Sequence, residues 1–206
     1  MQALPPTALT KRFIASSLPV WIMLLCGAVT SGCAQWRYDE TKLGKKLDGK
    51  LIVEWVEPDL FIYRPDAKTP LTFVTSDGRV IVPREMRTDG GSIPRLFWSV
   101  PGFSPWGLAP GYIVHDWLFV QQHCKYDGYQ QYSFEDSAHI LAEAIKTQME
   151  TGRAPKDPTV LSAIYEAVSS PIARDLWING KCEAPPPVTA LRARKRVLLL
   201  EIDMSR

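Results

Sequence analysis

The sequence predicts an α+β domain in which a small antiparallel sheet from the N-terminal half packs with three to four helices from the C-terminal half. Two observations predict this fold. Short β-branched and aromatic runs separated by turn residues fill the first part of the domain. Apolar residues at helical spacing, preceded by capping residues, fill the second part. Strands and helices that are segregated along the chain are typical of α+β folds.

The N-terminus has the layout of a bacterial signal peptide. Lys11 and Arg12 precede an uncharged apolar stretch over residues 13–29, and small residues then lead to Cys33. This pattern resembles a bacterial lipobox. The resemblance implies that residues 1–32 are removed and that acylated Cys33 attaches the chain to a lipid bilayer. An uncleaved anchor helix is the alternative, although the apolar run is short for a permanent span.

The residues after the predicted cleavage point indicate a location and exclude one class of partner. Ala34 follows the cysteine where aspartate is associated with inner-membrane retention, so we expect the periplasmic face of the outer membrane. Removing residues 1–32 leaves equal numbers of basic and acidic residues. Nucleic-acid binding needs a concentrated basic face, so no nucleic acid is expected. The expected partners are the bilayer and an envelope component that the sequence does not identify.

A tether and four strands are predicted to follow. Residues 33–50 are polar and lysine-rich, which indicates a tether before a single α+β domain over residues 51–182. The predicted strands are Leu51–Val56, Leu60–Tyr63, Leu71–Thr75 and Arg79–Val82. Ser76-Asp77-Gly78 predicts a tight hairpin between the last two. Pro83 ends that hairpin, so the sheet becomes a platform for the turn that follows.

That turn reads Asp89-Gly90-Gly91-Ser92. Glycine reaches positive φ without penalty, so the backbone can turn its N–H groups towards a ligand or a carboxylate. Ser92 is predicted to cap a helix over residues 93–98. The alternative to a binding turn is an ordinary turn followed by a cap.

A His-Asp pair lies inside the next apolar helical segment, residues 112–119. Burying an unpaired imidazole or carboxylate costs on the order of a few kcal/mol, so His115 and Asp116 need partners or a cleft. His115 is a candidate general base or metal ligand. Adjacent helix positions point about 100° apart, so Asp116 is not expected to orient His115. Alternatively, His115 is a satisfied core histidine and Asp116 pairs with a basic group such as Arg95.

The following helix supplies two more candidates. Ser133 is predicted to cap it, with Asp136 completing an approximate capping box and His139 one turn later on the same face. Five side chains of acid–base or metal-binding type would then form one cluster: Asp89, His115, Asp116, Asp136 and His139. Such a set suits a divalent metal or an acid–base pair. Alternatively, Asp136 is there because the first turn of a helix favours aspartate.

The cysteines and the C-terminal segments complete the predictions. Cys26 leaves with the signal peptide, so Cys124 and Cys182 are expected to form a disulfide in an oxidising periplasm; a metal site of Cys124 with His123 is the alternative. Two helices are predicted over residues 159–170 and 171–177, with core residues Leu161, Ile164, Tyr165, Val168, Ile172 and Leu176. Residues 183–206 are predicted to be a proline-rich spacer and a basic amphipathic helix, which lies on lipid or is docked or frayed.

Four segments in order, TDGGSIP, a Trp/Pro bend, HDWLF and FEDSAHILAEAI, resemble domain of unknown function family 1353, which is bacterial and phage-associated. The resemblance covers roughly Leu51 to Trp177 and implies no settled activity. Phe119 stands at a position that is usually tyrosine, and Ala138 stands where aspartate is frequent. These two departures argue against catalysis.

Two functions are therefore considered. The first is an envelope lipoprotein of phage-derived origin that binds an envelope component. The alternative is a lipid-anchored periplasmic hydrolase with a His-Asp site, metal-assisted or not. The catalytic candidates are Asp89, His115 and Asp116. The binding candidates are Ser92, Asp136 and His139.

Overall fold

The computed structural model describes residues 32–90, 104, 106–183, 185 and 194–204. The α+β class predicted from the sequence is confirmed, with strands mainly in the first half and helices mainly in the second. The strands are β1 (Lys46–Asp48), β2 (Lys50–Val56), β3 (Leu60–Pro65), β4 (Thr72–Val74), β5 (Val80–Ile81), β6 (Met86–Arg87) and β7 (Arg196–Asp203). The helices are α1 (residues 32–40), α2 (Ala109–Cys124), α3 (Phe134–Glu150), α4 (Pro158–Val168) and α5 (Pro171–Asn179).

The described strands form two antiparallel sheets. The three-stranded sheet has the order β1-β4-β5, and the four-stranded sheet has the order β6-β3-β2-β7. The predicted hairpin between β4 and β5 is present, with the Thr75 N–H donating to the Arg79 carbonyl at 3.0 Å. Gly78 lies in the turn at φ +94°, a conformation that glycine adopts without steric cost.

The helices α3, α4 and α5 each begin at a residue whose side chain caps the helix. Ser133 and Asp136 form a complete capping box at the start of α3, as the sequence predicts. Asp157 caps α4 and Ser170 caps α5, so the predicted break at Pro171 is confirmed. The helix predicted over residues 93–98 lies outside the described residues.

The core lies between the sheets and the helices α2 and α3. One apolar cluster joins β2, β3 and β4 to α2 and α3, with Val53, Tyr63 and Phe73 fully buried. A second cluster joins α3 to α4 and to α1 through Tyr38. α3 therefore contributes to both clusters. Among the described residues, no helix has the length and apolar character needed to cross a bilayer.

The predicted tether is wrong in part, because residues 33–50 pack on the domain. Tyr38 of α1 is 2% exposed and its hydroxyl donates to Glu150 at 2.8 Å. Lys146 donates to the carbonyl oxygens of Tyr38 and Thr41, both at 2.7 Å. Ala34 and Tyr38 are the buried apolar residues of the described helix α1. The apolar stripe is this narrow, so the mostly polar composition of the segment did not indicate that it packs on the domain.

The predicted amphipathic tail helix is also wrong. Residues Arg196–Asp203 form β7, which pairs antiparallel with β2 along its length. Leu200 stands opposite Val53 and Ile202 opposite Leu51, so the strand adds apolar cover to the core beside β2. An otherwise unpaired edge of β2 gains a full ladder of hydrogen bonds, which a helix at this position would not provide. Apart from Pro185, the proline-rich spacer lies outside the described residues.

The C-terminal helices form at the predicted positions, but two of the residues predicted for their core are exposed. Leu161 and Ile164 are buried, whereas Ile172 and Leu176 are 76% and 56% exposed and are not core residues. Trp177 enters the core instead, packing against Phe119 with ring centroids 4.9 Å apart. The bend at Pro171 turns α5 so that its other face meets α2. The predicted disulfide between Cys124 and Cys182 is confirmed and ties the end of α2 to the segment after α5.

Candidate functional site

A turn after β6 meets the middle of α2. The Thr88 N–H donates to the Phe61 carbonyl at 3.0 Å, which continues the pairing of β6 with β3. The Thr88 hydroxyl then donates to Asp116 Oδ2 at 2.8 Å. The same hydroxyl oxygen accepts from the Gly90 N–H at 3.0 Å, and Gly90 has a φ of +79°. One threonine side chain thus fixes both the turn and its contact with α2.

Asp116 is a carboxyl group in a poorly solvated position. Burial raises its pKa well above the usual value, the hydrogen bond from Thr88 opposes this rise, and the charge of Asp89 adds to it. Asp89 itself is exposed. The Asp89 carboxyl group is therefore close enough to affect the ionisation of Asp116, and the environment favours the protonated form of Asp116.

His115 points away from that pair, as the angle between adjacent helix positions predicts. Its ring lies 4.9 Å from the Phe119 ring, between centroids. Its Nε2 is buried and has no hydrogen-bond partner in the part of the chain that the structure describes. Burial lowers the pKa of His115 to about 4, so the imidazole is neutral at pH 7.

An aromatic row closes this face of α2. His115, Phe119 and His123 follow one another at four-residue spacing, and the Phe119 and His123 rings lie 5.9 Å apart. His123 Nε2 lies 2.9 Å from the Leu176 carbonyl oxygen on α5. α5 therefore covers the Phe119 and His123 end of the row, and all three of its residues are partly buried.

Tyr112 is a further polar group of this region that the sequence analysis did not single out. It lies one turn before Asp116, and its hydroxyl is buried without a hydrogen-bond partner among the described residues. Burial and the charge of Asp116 both raise its pKa. The (i, i+4) spacing of Tyr112 and Asp116 was the signal that pointed to their proximity.

The predicted five-residue cluster is not formed. Asp136 accepts hydrogen bonds from Ser133 and pairs with Arg79 at 3.0 Å. Burial opposes its ionisation, but these contacts outweigh that effect and lower its pKa. His139 lies 5.4 Å from the Tyr165 ring, between centroids, on the side of α3 that meets α4.

Asp136 and His139 each contact a nearby residue, because α3 presents the two side chains to different neighbours. Asp136 meets the hairpin through Arg79, and His139 meets α4. Within the described ranges, no three His, Cys, Asp or Glu side chains are arranged to hold a metal ion. Asp89 and Asp116 remain together at the turn. Ser92 lies outside the described residues.

The comparison with protein families falls on this region. Residues 67–154 match the family model described as "Protein of unknown function (DUF1353)". The matched range contains the β4–β5 hairpin, the Thr88–Gly90 turn, α2 and α3, and it is narrower than the resemblance expected from the motifs. No curated protein and no solved structure matches the chain. The match therefore indicates a domain of unknown function. Any activity has to be inferred from the geometry of the site.

Proposed function

We propose that the chain is a bacterial envelope lipoprotein, anchored through acylated Cys33, whose domain binds an envelope component. The observation that carries this proposal is the disulfide between Cys124 and Cys182, because structural disulfides persist in oxidising compartments such as the periplasm. Cys33 is a free, exposed cysteine in the described helix α1, so its side chain is open to modification. Ala34 favours the outer membrane, and a phage-derived origin, which the motif resemblance implies, is part of the proposal.

The contacts around α2 support binding over catalysis. A general base works best with a pKa near the operating pH and within hydrogen-bond reach of its proton donor. The pKa of His115 is lowered to about 4, and its Nε2 contacts no carboxylate among the described residues. Asp116 uses Oδ2 to hold Thr88. Asp116 and Thr88 therefore join the turn to α2.

Acyl labelling tests the location. Bacteria expressing the full chain are fed an alkyne analogue of palmitate, and inner and outer membranes are then separated. The wild type is expected to carry label in the outer membrane, whereas a Cys33→Ser variant carries none. The matched variant Cys26→Ser lies in the predicted signal peptide and keeps the label. A wild-type chain without label would reject the anchor.

A hydrolase is the second candidate, and one observation favours it. The buried carboxyl group of Asp116 has a raised pKa and lies beside the charge of Asp89, and a carboxyl group that keeps its proton next to a second carboxyl group is a usual component of an acid–base pair. The test is hydrolysis of p-nitrophenyl acetate by the purified chain. A hydrolase would lose about 100-fold or more in rate on Asp116→Asn, and Thr88→Ser would stay near the wild type. A wild-type rate equal to that of buffer rejects this candidate.

A further inference from the structure

α5 is attached to the domain by few side chains. Trp177 is the one buried residue among its nine. The apolar residues Ile172, Leu176 and Ile178 are 76%, 56% and 65% exposed. A helix this short is only marginally stable in water without packing, because its few internal hydrogen bonds do not offset the cost of nucleation. α5 therefore depends on what holds it to its neighbours.

The contacts of α5 with α2 lie at the C-terminal end of α5. The Trp177 ring packs against Phe119 with centroids 4.9 Å apart, and the Leu176 carbonyl oxygen lies 2.9 Å from His123 Nε2. Gly180 directly follows α5, and a Cβ atom at that position would lie 2.2 Å from Cε1 of His123. α5 thus reaches α2 through its last turn and the residue after it.

The earlier part of α5 adds little to this attachment. Arg174 pairs with Glu135 on α3, but both side chains are more than half exposed. An exposed ion pair contributes little to stability, because solvent screens it. Ala173 is partly buried against the core and is too small to bury much area. The contact of Trp177 with α2 is therefore the main packing of this helix.

The disulfide lies directly beside these contacts. Cys124 is the last residue of α2 and follows His123, and Cys182 lies two residues after Gly180. Cys182 is exposed, whereas Cys124 is partly buried. Reduction requires a thiolate to reach one of the two sulfur atoms, and exposed disulfides are the ones that are reduced readily. The bond that holds the contact end of α5 is therefore open to a reductant in solution.

We propose that this disulfide is a redox latch, whose reduction by a dithiol releases α5 and uncovers the Phe119 and His123 end of α2. One thiolate of the dithiol attacks Sγ of Cys182, the S–S bond breaks, and Sγ of Cys124 leaves as a thiolate that takes up a proton. The second thiolate of the reductant then displaces Sγ of Cys182 from the mixed disulfide. The reductant ends as a disulfide, and the chain gains two electrons and two protons as two thiols.

The release is confined to α5, because α2 is held in the core by other residues. Ile113, Val114 and Leu118 are buried in the cluster that α2 forms with the strands and α3, and α5 adds Trp177 to it. Native proteins commonly open weakly packed elements without unfolding globally. The inference goes beyond the proposed function and does not depend on acylation of Cys33, since it needs only the disulfide and a dithiol.

Limited trypsin digestion of the full chain in detergent micelles tests the latch. The chain is reduced with dithiothreitol without urea, the thiols are blocked with iodoacetamide, and the reductant is removed before trypsin is added. Cleavage after Arg174 reports the opening of α5, because a protease acts on the transiently opened form. Cleavage after Lys146, which lies within α3 and donates to two backbone carbonyl oxygens, reports global unfolding.

Reduction is expected to accelerate cleavage after Arg174 by about tenfold or more. In the reduced chain, Arg174 should also be cleaved at least about tenfold faster than Lys146, because opening one weakly packed helix needs less free energy than global unfolding. Each rate is divided by the rate for a synthetic peptide that contains the same bond, which removes the sequence preference of trypsin.

Two variants separate the loss of the bond from the chemical treatment. Cys124→Ser with Cys182→Ser is expected to show rapid cleavage after Arg174 without any reductant. The matched variant Cys33→Ser keeps the disulfide and should be cleaved as slowly as the oxidised wild type. If the double variant does not fold, reoxidation of the reduced wild type decides the question, because slow cleavage after Arg174 should then return.

Three results would overturn the proposal. The first is a disulfide that dithiothreitol reduces only in urea. The second is an unchanged rate of cleavage after Arg174 in the reduced chain. The third is an equal rate of cleavage after Arg174 and Lys146 in the reduced chain, which would mean that the chain opens only by global unfolding.

Discussion

Replacing His115 with glutamine should remove a specific loss of stability at acidic pH. Burial lowers the pKa of His115 in the folded state from 6.5 to about 4. The folded state therefore binds this proton less readily than the unfolded state does. The resulting stability is fully present above pH 6.5 and is lost as the pH falls towards 4.

The size of the effect follows from the pKa difference. Each pKa unit corresponds to about 1.4 kcal/mol, so a lowering from 6.5 to about 4 corresponds to a loss of about 3 kcal/mol. Asp116 contributes with the opposite sign, because a carboxyl group with a raised folded pKa stabilises the fold as the pH falls through that pKa. The wild type must therefore be compared with the variant at each pH.

Urea unfolding followed by tryptophan fluorescence at pH 7 and pH 4 measures this effect. The free energy of unfolding of the wild type minus that of His115→Gln should fall by about 3 kcal/mol between the two pH values. His139→Gln, at an exposed position on α3, leaves His115 intact and should keep the wild-type loss. Parallel pH profiles for the wild type and His115→Gln would show that the imidazole is not buried in its neutral form, and the reasoning would be refuted.

Three further predictions use the same unfolding assay. Thr88→Val removes the donor to Asp116 and should cost about 1–3 kcal/mol, whereas Thr88→Ser should cost less than half as much; equal costs would contradict the role of the hydroxyl. Cys124→Ser with Cys182→Ser opens a loop of 58 residues and should cost about 4 kcal/mol, and a change below about 1 kcal/mol would argue against a stabilising cross-link. Removing residues 196–206 uncovers the edge of β2 and should lower the urea midpoint and promote aggregation at micromolar concentration; an unchanged midpoint would mean that β7 adds nothing to the sheet.

Local patterns in the sequence were sufficient for much of the fold. The Ser76-Asp77-Gly78 turn fixes a hairpin through the backbone of three residues, and the capping box of Ser133 and Asp136 fixes the start of α3. The apolar run around His115 predicted α2. These features depend on neighbours within a few residues, so the sequence displays them directly.

Features that depend on distant partners were missed. β7 is a strand because β2, near the opposite end of the chain, has an edge to pair with. Tyr38 is buried because α3 and α4 lie beside it. The run Val197–Leu200 and the single tyrosine carry no signal for those partners, and a short apolar run fits a helix or a strand equally well.

The candidate site could likewise be predicted only in part from the sequence. The turn and α2 were expected to meet, and the structure places Asp89 and Asp116 together. The role of Thr88 was missed, because its hydroxyl acts across a contact that only the folded chain creates. The cluster with Asp136 and His139 failed because Arg79 and Tyr165, on other elements, use those side chains.

The mass of the N-terminal peptide of the chain purified from bacterial membranes tests the proposed lipoprotein most directly. The expected peptide begins at Cys33 and carries the added mass of a diacylated thioether and an amide-linked acyl chain. A peptide that still contains residues 1–32, or an unmodified Cys33, would contradict the account.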